Sequence, residues 1–232
     1  MATKSQTLIS YYVRIIVYLV IFSISLFFSA GRFDWTMGWV YIVINAISMI
    51  ANSLILLLLH PGLMAERVKR VDRSNKKDWD RPLAGIMTFI GPIIICIVAG
   101  FTLRMEWLPK LPFWLQITGI ALAIIGCVIS GWAIASNKFF FGFMRVAKEA
   151  GHSVSDHGAY RVVRHPGYLG AILVNLATPL ILNSLWAFIP AALTILAVII
   201  RTSLEDNALV RDLEGYLDYS KKVPFRLIPL IW

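Results

Sequence analysis

Read from its N-terminus, the chain alternates long apolar runs with short, charge-rich intervals. A helix of ~20 apolar residues crosses the ~30 Å of hydrocarbon in a bilayer. Six stretches have this character: 9–30, 35–59, 83–103, 113–136, 166–183 and 185–200. The pattern predicts an all-α, polytopic membrane bundle of about six transmembrane helices. The last two stretches are short and share almost no loop, which predicts a tight hairpin or one partly inserted segment. Beyond residue 200 the pattern changes. Leu209, Leu213, Tyr216 and Leu217 fall on one helical face among Arg211, Asp212, Glu214 and Asp218. That spacing predicts that the sixth helix continues as an amphipathic helix on the cytoplasmic surface, ended by Pro224. The first run is interrupted by Arg14 and has no good cleavage site before Gly31. It reads as a retained helix rather than a signal peptide.

Composition agrees with that pattern. Hydrophobic residues make up 58% of the 232 and charged residues only 15%, against roughly half and a quarter in a soluble domain. Cys96 and Cys127 both lie in apolar runs, which supports neither a disulfide framework nor a thiolate metal site. The net charge of +9 would suggest nucleic acid in a soluble protein, but position decides otherwise. Of the 22 Lys and Arg, 19 lie in the N-terminus, the 60–82 loop, the 137–165 loop and the C-terminal region. Only Arg32, Arg104 and Lys110 lie in the alternate loops. The positive-inside rule then places both termini and both long loops in the cytoplasm. The basic residues have anionic membrane lipid to touch, and no nucleic acid is implied. Nothing in the sequence asks for more than a monomer.

The spans themselves carry little chemistry. Asn45, Asn52, Asn175 and Thr178 are of the kind that bond neighbouring helices. No buried charge chain of the kind found in ion pumps is present, which argues against a proton-coupled transporter. The charged stretch 66–81 reads as a solvated loop or interfacial helix, with Trp79 suited to the headgroup level.

Chemistry-bearing residues concentrate between 137 and 229. The stretch 151–170, GHSVSDHGAYRVVRHPGYLG, crowds His, Tyr, Arg and Gly into one loop that enters the fifth span. Pro166 suits the first turn of a helix, where its missing N–H costs nothing. Free N–H groups and the positive dipole end would then lie at the membrane surface, ready for a carboxylate; a simple headgroup contact by Arg164 and His165 is the competing reading. The second cluster, Arg201 to Asp206, lies at the inner end of the sixth span. Arg201 and Glu205 are i and i+4 and share a face, but Arg preceding Glu is the weaker order for an ion pair.

These two blocks resemble the isoprenylcysteine carboxyl methyltransferase family, which is related to the phospholipid N-methyltransferases. The first block carries His152, Gly158, Tyr160, Arg164-His165-Pro166, Tyr168 and Gly170 at the family's spacings. The second carries Arg201, Glu205 and Asp206, then Tyr216, Tyr219, Lys221, Lys222, Val223, Pro224, Arg226, Ile228 and Pro229. Asn137 and Phe140 match the family's entry to the loop. The resemblance covers residues 137–229, about two-fifths of the chain. It departs from the family at Asp206, where Glu is usual, and at Ser155, where an apolar residue is usual.

The resemblance implies S-adenosylmethionine as methyl donor, touched by His152, Val154, Tyr160, His165, Pro166, Tyr168 and Glu205. Arg201 would bind the acceptor and, with Arg164, form the catalytic set. It divides the chain into four N-terminal helices, 1–136, and a cofactor-binding half, 137–232. The acceptor would be lipid-like or prenylated. A carboxylate acceptor is ionised at neutral pH and needs no general base, and an Arg suits it as a bidentate clamp. An amine must lose a proton first, which makes a facing Arg unhelpful. Carboxyl methylation is therefore favoured. The alternatives are a phospholipid or amine N-methyltransferase, and a membrane sterol-type reductase using a nicotinamide cofactor. No Gly-rich dinucleotide fingerprint follows a strand pattern.

Overall fold

The structure, a computed structural model, describes residues 4–68, 77–107, 111–141, 144 and 153–232. Eight helical segments organise these residues. They are α1 (Lys4–Ala30), α2 (Thr36–Leu59), α3 (Pro61–Val68), α4 (Asp80–Arg104), α5 (Phe113–Ala135), α6 (Pro166–Ile181), α7 (Phe188–Asp212) and α8 (Tyr216–Lys222). A 3₁₀ turn, Gly158–Arg161, precedes α6. No strand occurs among the described residues. Five helices, α1, α2, α4, α5 and α7, are long and apolar enough to cross a membrane. Side chains such as Phe28, 80% exposed, and Leu58, 75% exposed, face outward. That is a surface for hydrocarbon rather than water.

The all-α, membrane-type architecture follows the hydropathy pattern, with five long apolar helices and one short one where a partly inserted segment was expected. Residues 166–181 form a helix of 16 residues, about 24 Å at 1.5 Å per residue, short of the hydrocarbon thickness. The sixth segment, 185–200, continues past residue 200 as expected, within a helix of 25 residues, α7. Charged residues after Ile200 end the apolar run but not the helix, because buried partners satisfy them.

Helices α5 and α6 approach most closely. A Cβ on Gly170 would lie 2.5 Å from the Gly126 carbonyl oxygen, and one on Gly126 would lie 2.7 Å from that of Gly170. Only glycine permits this backbone contact. Helix α1 packs Phe22, Leu26 and Phe27 against Ile95, Cys96 and Ala99 of α4. Asn45 and Asn175, expected to bond across helices, donate to carbonyls four residues back on their own helices. Thr178 does the same and also meets the Tyr41 hydroxyl of α2.

Helix α4 contains a π turn at Ile86–Ile90. Pro92 explains it: proline has no N–H for the Thr88 carbonyl and its ring crowds that oxygen. Tyr18 of α1 supplies the missing donor, 2.8 Å from Thr88 O.

After α7 the chain turns at Gly215, whose φ of +79° is the left-handed conformation that glycine adopts without strain. The expected continuous surface helix is therefore broken in two, and its apolar face does not meet lipid. Leu213 and Tyr216 are buried against Tyr160 and Tyr219; Leu217 is 51% exposed.

Candidate functional site

A cavity of about 320 Å³ opens where the N-terminus of α6 meets the inner half of α7. This is the size range of small-molecule sites, ~300–1,000 Å³. Asn137, Phe139, Phe140, Phe141 and residues 153–155 form one side, Met87 and Thr88 of the π turn another, and α8 closes it with Tyr216 and Tyr219.

Local sequence explains the end of α6 that faces it. His165 has extended φ of −127° and makes no side-chain cap bond, and Pro166 follows at the first helical position. The His165 carbonyl receives the N–H groups of Tyr168 and Leu169. Because α6 and α7 run antiparallel, the start of one lies beside the end of the other. Tyr168 thus donates its hydroxyl hydrogen bond to Glu205.

Arg201 feels the Glu205 charge, but its Nε hydrogen bond goes elsewhere than helical spacing suggests. Its Nε donates to Asp80 Oδ1 at 2.7 Å, its Nη1 lies 3.9 Å from Met87 Sδ, and its guanidinium sits 5.4 Å from the Tyr168 ring centroid. Asp80 is fully buried. Its other oxygen accepts the Met144 N–H at 2.7 Å.

Asp206 organises the opposite wall. It accepts from Arg164 through Nε and Nη2, both at 2.8 Å, from Tyr216 at 2.8 Å and from Arg226 Nε at 2.9 Å. His165 Nε2 lies 3.1 Å from the same carboxylate. Arg164 Nη1 also donates to the carbonyls of Val223 and Pro224. The backbone N–H groups of Arg164 and His165 bond Phe225 and Arg226. Arg164 therefore ties the C-terminal segment onto the loop before α6.

Aromatic groups complete the lining. Tyr219 donates to the Tyr160 carbonyl at 2.7 Å, and the Tyr160 hydroxyl meets Asn137. Burial pushes the hydroxyls of Tyr160, Tyr216 and Tyr219 above the ordinary tyrosine range. They remain neutral donors at physiological pH.

Of the residues singled out in the sequence, Val154, Tyr160, Arg164, His165, Tyr168, Arg201 and Glu205 all line this one cavity. Pro166 is buried between two lining residues. His152 lies outside the described residues. Asp80 was passed over inside a charged stretch read as solvated, and it is instead the buried partner of Arg201. An acid standing directly at the head of an apolar run was the available signal. The π-turn residues Met87 and Thr88 had none beyond Pro92.

Residues 114–213 match the family model for phospholipid methyltransferases. A protein-S-isoprenylcysteine O-methyltransferase from Mus musculus is 30% identical over 129 residues, 53% of this chain and 46% of the relative. Its Homo sapiens counterpart is 29% identical over 129 residues, 53% of this chain and 45% of the relative. A probable protein-S-isoprenylcysteine O-methyltransferase from Oryza sativa subsp. indica is 27% identical over 115 residues, 48% and 60% respectively. The chain thus spans about half the length of the curated relatives it matches. The resemblance read from 137–229 is met by these matches, and the family match embraces Arg201 and Glu205.

Proposed function

We propose that this chain is a multi-pass membrane methyltransferase. It transfers a methyl group from S-adenosylmethionine to a carboxylate on a prenylated or otherwise lipid-like acceptor at the cytoplasmic interface. The observation that carries this reading is the convergence of Tyr168, Arg201 and Glu205 on one cavity at the end of a helix that begins His-Pro.

The lining fits the donor. The free N–H groups expected at the start of α6 are largely used, since Tyr168 and Leu169 bond the His165 carbonyl, but the positive dipole end of the helix still suits a carboxylate. Glu205 suits an ammonium or ribose hydroxyls. Tyr160, Tyr216 and Tyr219 offer aromatic surface for a purine, and the Tyr168 ring lies where a cation gains from an aromatic face. When bound, the donor supplies an electrophilic methyl on a sulfonium. An acceptor carboxylate oxygen forms the new C–O bond as the C–S bond breaks, its electron pair passing to sulfur. Charge is neutralised and no proton moves. The protein's work is positioning and exclusion of water. Arg201 presents its fork to the acceptor carboxylate, while Arg164 holds the wall through Asp206 and acts as a positioning residue.

Topology supports the same reading. If α1, α2, α4 and α5 cross, the loop before α6 returns to the side of the N-terminus. The α6–α7 hairpin returns there too, whether or not α6 fully spans. The basic loops put that side in the cytoplasm.

The test is mass spectrometry of purified protein in lipid with methyl-deuterated donor, offered N-acetyl-S-farnesylcysteine and phosphatidylethanolamine separately. Methylation of the first alone is the expected result. Methylation of the amine alone would reassign the chain to N-methylation. Transfer to neither, with the donor bound, would refute the carboxyl acceptor proposed here.

A further inference from the structure

We infer that Asp80 is a positioning residue for methyl transfer: it holds Arg201 in its acceptor-facing geometry. This rests on the proposed role of Arg201. Asp80 stands outside the matched region 114–213 and is absent from the cavity lining, so it acts through other groups.

The geometry is specific. The Asp80 carboxylate divides its two oxygens, one to Arg201 Nε and one to the Met144 N–H, each at 2.7 Å. Both ion-pair partners are buried, with side chains 5% and 1% exposed. A buried arginine has several rotamers, and a bond through Nε selects among them because only one edge of the fork contains it. The selected geometry sets the guanidinium beside Met87 and over the Tyr168 ring. Tyr168 in turn donates to Glu205. A continuous path therefore joins Asp80 at the head of α4 to the proposed donor carboxylate on α7. Burying an ion pair costs desolvation, and hydrophobic replacement is often more stable. Stability alone therefore accounts poorly for a pair in this place.

Charge points the same way. Glu205 and Asp80 both offset the buried Arg201 cation, but only Asp80 is hydrogen-bonded to it through Nε, so Asp80 fixes its orientation as well as its charge. Met144 adds the second half of the device. Its N–H sits on the oxygen that Arg201 does not use, so displacing Asp80 releases that N–H and the guanidinium together.

The experiment uses Asp80→Asn, Asp80→Glu and Asp80→Asn/Arg201→Lys in the full chain. Donor affinity is read by calorimetry, kcat and KM with N-acetyl-S-farnesylcysteine, and Arg201 reactivity by phenylglyoxal labelling and mass spectrometry. Asp80→Asn is expected to lower kcat about tenfold to hundredfold, the scale of a lost charge-assisted hydrogen bond, with donor affinity within about twofold. Arg201 should label faster, Asp80→Glu should recover part of the turnover, and the double variant should be no slower than Arg201→Lys alone. Unchanged kcat and labelling in Asp80→Asn would overturn the inference. So would a parallel fall of donor affinity, thermal midpoint and turnover without recovery in Asp80→Glu, which is the signature of a purely structural pair. A wild type that methylates neither probe refutes the proposed function instead; Arg201 labelling then decides whether Asp80 fixes Arg201.

Discussion

Tyr168, two residues into α6, donates its hydroxyl hydrogen bond to Glu205, 37 positions later on α7. That bond joins the two sequence blocks across an antiparallel helix pair, and the cavity opens at the junction. It leaves Glu205 half-buried on the cavity wall, in contact with both a neutral donor and any cation that enters.

Glu205→Gln should therefore weaken donor binding. An ionised acceptor becomes a neutral amide, and the loss of a charge-assisted hydrogen bond is worth roughly 1.5–3 kcal/mol. Calorimetry with S-adenosylmethionine should show about a tenfold to hundredfold weaker affinity on that scale. Unchanged affinity would remove Glu205 from the donor site.

Arg201→Lys should keep donor affinity and lose turnover, because lysine carries the charge without the planar fork. It also lacks an Nε edge for Asp80. If Arg201 instead holds the donor, affinity falls with turnover. Both quantities measured on one purified variant separate the two.

Asp206→Ala should destabilise the fold strongly. It leaves Arg164 and Arg226 without their carboxylate, and breaking a buried pair costs about 3–5 kcal/mol. Arg226→Ala should cost much less, since that side chain is 25% exposed and exposed pairs contribute little. Thermal unfolding in detergent, compared across the two variants, checks the order.

Gly170→Ala should loosen the α5–α6 contact. The added methyl meets the Gly126 carbonyl oxygen at 2.5 Å and the Ser130 side chain, and overpacking of this kind costs about 1–3 kcal/mol. Reduced thermal stability is expected. An unchanged midpoint would show that α5 and α6 can separate freely.

Cysteines placed at Asp78 and Asp156, both exposed, should label from the same side of the membrane in a background lacking Cys96 and Cys127. A cysteine at Asp34, also exposed, should label from the other. Labelling of positions 78 and 156 from opposite sides would sink the proposed topology.

Hydropathy along the chain was sufficient for the membrane-type helical class, because crossing hydrocarbon demands long apolar helices whatever the partners. The motif residues were legible too: His165-Pro166, Tyr168, Arg201 and Glu205 are near one another in sequence within their own blocks, and helical spacing constrains each block. Three matters depended on contacts between distant segments. The sixth helix was expected to run on past residue 200, but what permits it is tertiary: burial of Arg201 against Asp80 and of Asp206 against Arg164 carries α7 to Asp212. Local i, i+4 spacing offered Glu205 to Arg201, whereas the tertiary partner is 121 positions away. Leu209, Leu213, Tyr216 and Leu217 read as one face of a continuous helix, but the break at Gly215 leaves Leu217 exposed and buries Leu213 and Tyr216, because periodicity states only that a face is apolar. Its neighbour is chosen by the fold, and the turn at Gly215 directs it against Tyr160 and the cavity rather than into lipid.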